Sequence, residues 1–173
     1  MGLGITLQEL RGWAGHYGLV LRWHERLRGA ANGEPSIDEL DFALTFFLHC
    51  YHLRDWLIRS NAATPAEIAT LIKVNPELRL CRDIANGFKH MTLSDPSVDA
   101  RFSIVNEYVP KNWPGAYRYP NGKWTICAHN KKELHQFGLV DLADRCVAIW
   151  HAFLVSKTLL PQARDEAAAQ LKR

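Results

Sequence analysis

Between Leu80 and Leu93 the chain reads LCRDIANGFKHMTL, and Arg82, Asn86, Lys89 and His90 within it are side chains that could handle a phosphate. At 100° per residue they gather with Arg79 on one helical face, opposite Leu80, Cys81, Ile84, Phe88 and Met91. Arg and Lys can neutralise an anion, and His exchanges protons near neutral pH. Cleavage of a phosphodiester by its own 2′-hydroxyl needs that kit and no metal: a base of pKa near 7 and cations for the charge developing on phosphate. The same face also reads as the solvated side of a helix or as a charged binding surface.

A second polar cluster lies in Phe46 to Ile58, FFLHCYHLRDWLI. The spacing predicts a core-facing stripe of Leu40, Leu44, Phe47, Leu48, Tyr51 and Ile58, with Asp55 inside it and His52 on its edge. A carboxylate so placed needs a cation, because an unpaired buried charge costs several kcal/mol. Arg82, Lys89 and His90 are the expected partners by chemistry. His49, His52 and Asp55 follow one another at three-residue steps, and with His90 they suggest a metal. Successive 300° steps spread them over about 120°, so a full ligand set is not expected. His52 and Asp55 as a metal-binding pair stay open as an alternative; otherwise no metal and no cofactor is expected.

An Arg and a His on one late helix of a four-helix bundle, as in RDIANGFKH, resembles the HEPN superfamily, with a longer Arg-to-His interval than the family's pattern has. The resemblance covers mainly the helices around 36–91 and the closing helix. It implies a metal-independent ribonuclease or toxin with its site at a homodimer interface. In that reading His90 is general base or acid, Lys89 and Arg82 stabilise phosphate charge, and Asn86 and Asp55 orient the others. Many members of the family only bind, so a non-catalytic protein-interaction module of adaptor or immunity type is the first alternative. A metal-dependent helical-bundle enzyme using His52 and Asp55 is the second.

The elements that must position these residues follow from bulk numbers and punctuation. A chain of 173 residues suits a single domain, 1–173, that buries roughly 70% of its unfolded surface. Its 47% hydrophobic and 23% charged residues are those of a globular protein, and a net charge of +3 announces neither nucleic acid nor membrane. A nucleic-acid partner would have to be met by a local patch. Cys50, Cys81, Cys127 and Cys146 are far apart with no CxxC, and read as buried reduced thiols of a cytoplasmic protein. No apolar run approaches the ~20 residues of a membrane span, and MGLGIT lacks the features of a secretory signal. Gly2 with Thr6 matches a myristoylation pattern; Thr6 with Glu9 reads better as a capping box.

The fold class expected is mainly α: four long helices plus short ones, with a small antiparallel sheet inserted at about 99–128. The first helix runs from Thr6 to about Arg28 on Leu10, Trp13, Tyr17, Val20, His24 and Leu27, weakened by Gly12, Gly15 and Gly18 unless a neighbour packs closely there. Ser36 with Glu39 opens a second helix to about Ser60, apolar nearly all round and therefore central. Thr64-Pro65 with Glu67 starts a short third helix to Val74, and Asn75-Pro76 opens the helix carrying Arg79 to Met91. Leu142, Cys146, Ile149, Trp150 and Phe153 mark a last helix over about 139–160. Between them, Asp99 to Val109 alternates as a strand, and Pro120-Asn121-Gly122 predicts a hairpin joining Tyr117–Tyr119 to Lys123–Cys127. The aromatics and cations interleaved over Lys111 to Trp124 could stack bases and neutralise phosphate, though covering the bundle is the preferred reading.

Overall fold

In a computed structural model the chain is mainly helical. The structure describes residues 12–32, 37–90, 101–106, 124–130 and 133–160, with side chains over 12–32, 37–87 and 137–160. Among the described residues there are five helices: α1 (Trp13–Ala30), α2 (Ile37–Arg59), α3 (Pro65–Val74), α4 (Pro76–His90) and α5 (Leu139–Ser156). Strands β1 (Arg101–Asn106), β2 (Trp124–Asn130) and β3 (Glu133–Gly138) form an antiparallel sheet in the order β1-β2-β3.

Helix α2 is the centre of the assembly, packed against α1, α4 and α5. Its buried line is Glu39, Ala43, Phe46, Phe47, Cys50, Tyr51, Leu53 and Leu57. That is a correction to the expected stripe, since Leu40, Leu44, Leu48 and Ile58 are only partly buried against the core. The helix is apolar nearly all round, so periodicity could not say which apolar line would be innermost. The interior continues through Val20 and Leu27 of α1, Leu80, Cys81 and Ile84 of α4, and Leu142, Cys146, Trp150 and Leu154 of α5.

Local chemistry explains the helix ends. At α3 the Thr64 hydroxyl accepts from the Glu67 amide (3.3 Å), and the Glu67 carboxylate accepts from the Thr64 amide (2.9 Å), a complete capping box. Lys157 beyond α5 reaches the same carboxylate at 2.6 Å and, with the Thr64 donors, holds the Glu67 carboxyl down at about 2. Helix α2 stops where Asn61 enters the left-handed region (φ 55°), a conformation Asn tolerates, and the Ala62 amide turns back to the Leu57 carbonyl at 2.9 Å. The capping boxes expected at Thr6 and Ser36 lie outside the described residues, as does the hairpin at 120–122.

The sheet reaches further along the chain than expected. The expected insertion stopped at about residue 128, whereas β3 spans Glu133–Gly138. Pairing with β2 from Thr125↔Gly138 to Asn130↔Glu133 makes it a strand, and Phe137 then packs on the core.

Gly18 and Gly29 of α1 are not sites of close helix approach. A Cβ on Gly18 would meet only Arg22 Nη1 at 3.5 Å, the far end of a flexible side chain. Gly18→Ala should therefore stabilise the protein by up to about 1 kcal/mol, read as a raised urea midpoint at unchanged slope.

Candidate functional site

On α2, residues 52, 55, 56 and 59 follow the i, i+3, i+4, i+7 spacing of one helical face. His52, Asp55, Trp56 and Arg59, with Ser60 beyond the helix end, line an open cleft of about 400 Å³. His52 Nδ1 lies 3.0 Å from Asp55 Oδ2, and Arg54 Nε lies 3.2 Å from Asp55 Oδ1. With Nδ1–H donating to the carboxylate, Nε2 of His52 is left as an acceptor, the arrangement of a general base oriented by an acid. Arg59 adds a cation to the cleft and Trp56 a flat apolar wall.

Asp55 is thus not the core carboxylate expected from the stripe. Its side chain is 39% exposed, and its partners are His52 and Arg54 of its own helix. The buried line passes through Leu53 and Leu57, which turns Asp55 toward the helix edge.

On α4, Arg82 is partly exposed and sets Nε 3.5 Å from Oδ1 of Asp83, a carboxylate buried to 1% exposure. Asn86 stands half-buried one turn further on. Lys89 and His90 belong to the last turn of the helix, and their side chains lie outside those described. Tyr51 links the two helices. Burial pushes its phenol up, while the guanidinium groups of Arg54 and Arg82 pull it back and the Asp55 carboxylate again raises it. Arg54 also covers the Tyr51 ring, 4.1 Å from its centroid. Asp55 and Arg82, expected as direct partners, therefore share a neighbourhood around Tyr51 and take their closest ion pairs elsewhere.

The sequence reading passed over Trp56, Arg59 and His16. The first two were legible from their spacing to His52; His16 was not. It is buried on α1, stacks on Trp56 with ring centroids 5.2 Å apart, and donates from Nε2 to the His49 carbonyl at 2.9 Å. His49 in turn lies parallel to Trp23, 6.4 Å between centroids, on the side away from Asp55 as its angular position required. Among the described residues no third His, Cys, Asp or Glu ligand atom closes on His52 and Asp55.

Burial lowers the His16 pKa below 6.5 more than its bond to His49 restores, and burial with the neighbouring His16 and His52 lowers that of His49. A depressed folded value means that the unfolded chain takes up the proton first as pH falls. Stability contributed by the neutral rings is then full above about pH 6.5, is lost below it, and levels off below the folded values. Urea midpoints should fall between pH 7.5 and 5.5, and His16→Gln should flatten the slope.

Compared with family models, with curated proteins and with solved structures, the chain finds no match in any of the three.

Proposed function

We propose that this protein binds RNA and cleaves it without a metal, in the manner of the HEPN superfamily, on the surface shared by α2 and α4. The observation that carries the reading is the His52–Asp55 pair opening into a cleft walled by Trp56 and Arg59. His52 Nε2 takes the proton of a 2′-hydroxyl, whose oxygen attacks the adjacent phosphorus while the 5′-oxygen leaves. Arg59 offsets charge gathering on the phosphate, and Trp56 offers a ring face for a base. On α4, Arg82 and Lys89 supply further cations, Asn86 orients, and His90 donates the proton to the leaving oxygen. The resemblance adds a cytoplasmic homodimer with the cleft near its interface.

A non-catalytic binding module is favoured by one feature. Arg54 and Arg82 each stand beside a carboxylate, which reduces the charge they present to an anion.

The test is a cleavage assay on mixed RNA with EDTA present. Strand scission leaving a 2′,3′-cyclic phosphate is the expected result. Retention of uncut RNA would select the binding module, and scission only after divalent metal is restored would select the metal-dependent reading of His52 and Asp55.

A further inference from the structure

Three cysteines distant in sequence meet in the core. Cys50 of α2, Cys81 of α4 and Cys146 of α5 are completely buried, and their sulfurs lie within 4.8 Å of one another. Packing alone explains a buried thiol, since Cys is a small hydrophobe. It does not explain the donor beside them. Trp150 is 1% exposed, and its indole Nε1 makes no hydrogen bond of good geometry. A buried donor without an acceptor costs about 1–3 kcal/mol, and a neutral thiol is a poor acceptor. Trp150 lies one turn from Cys146 on the buried face of α5.

We propose that Cys50, Cys81 and Cys146 form a site for one thiophilic ion held by three sulfurs. Sulfur-only ligation selects a soft ion, and oxygen-seeking magnesium or calcium is excluded. Structural zinc takes four ligands, and among the described residues no fourth side chain ligand joins this group. Three-coordination therefore points to monovalent copper or trivalent arsenic. Sulfurs this close around one centre leave no room for an iron–sulfur cluster, whose ligands stand around several metals. Arsenic loads by exchange: three As–O bonds of arsenous acid break, three As–S bonds form, and the three thiol protons leave in three waters with no change of oxidation state. The product is neutral, which suits an apolar core. Copper loads with release of the thiol protons to solvent, and the negative charge remaining faces the Trp150 N–H. The ion staples α2, α4 and α5 together, and because the site is closed it is filled as the chain folds.

The test uses the full chain, reduced and refolded without oxygen, in one arm with copper(I) as its acetonitrile complex and in the other with sodium arsenite. Native mass spectrometry should show one ion per chain in at least one arm, and a thiol titration should fall from four to one. At about a hundredfold excess over the dissociation constant the unfolding midpoint should rise by about 5–10 °C. Cys127→Ala should bind as well as wild type, which keeps the proposal testable even where Cys50→Ser fails to fold. Four titratable thiols in both arms, or loss of the ion in Cys127→Ala, would overturn it. Binding in one arm alone identifies which soft ion the site accepts.

Discussion

Replacing His52 with Ala should lower EDTA-resistant RNA cleavage by about 10²–10⁴-fold, the range that a positioned base contributes to proton transfer. The fold should hardly notice. The His52 and Asp55 side chains are 37% and 39% exposed, and a solvent-screened pair of this kind is worth about 0–1 kcal/mol. A large loss of rate with little loss of stability is therefore the signature expected of the variant. Asp55→Asn separates orientation from chemistry. It keeps the shape but can donate to Nδ1, favouring the tautomer in which Nε2 carries the proton and cannot accept one. Its rate should fall between those of wild type and His52→Ala. On α4, His90→Ala and Lys89→Ala probe the acid and the cation. If both left a demonstrated cleavage unchanged, the catalytic role of that helix would be dead and the reaction would rest on α2 alone. Initial rates with parallel thermal melts supply all of these comparisons.

Phe46→Ala should cost about 3–5 kcal/mol, among the largest losses of stability expected from a single truncation among the described residues. Phe46 is completely buried, meets Phe47 edge to face with centroids 5.1 Å apart, and tilts against His24 at 5.7 Å. Because α2 is clasped by α1, α4 and α5, the space left by the ring has no free edge from which to collapse. Leu40→Ala, on the line that periodicity alone would choose, should cost less, since Leu40 keeps part of its surface in solvent. Urea unfolding of the two variants decides the matter, and an equal loss in both would restore Leu40 to the core.

How much of this was legible beforehand depends on how local the cause is. Thr64, Pro65 and Glu67 form a cap within four residues, and that cap was readable to the residue. The last helix was readable too, because Leu142, Cys146 and Trp150 repeat at four-residue steps. Where a helix is apolar all round, as α2 is, the period carries no phase. Asp55 was accordingly assigned to the wrong side. Glu39 and Asp83 show the limit from the other direction: both are buried acids in the structure, at 2% and 1% exposure, and Glu39 reads in sequence only as a capping residue.

By itself the sequence determined that the chain is mainly helical, roughly where its helices begin and end, and that His52 and Asp55 share a helical face. These are consequences of capping, proline placement and a 3.6-residue repeat, all of which act over a few residues. The tertiary structure decided which apolar line of α2 is innermost and that His16 stacks on Trp56. It also decided that Tyr51 feels the charges of both Asp55 and Arg82, and that three cysteines separated by 31 and 65 positions converge on one point beside Trp150. Each of those depends on the rotation and depth at which one helix settles against another, and that is set by the fit of many side chains at once.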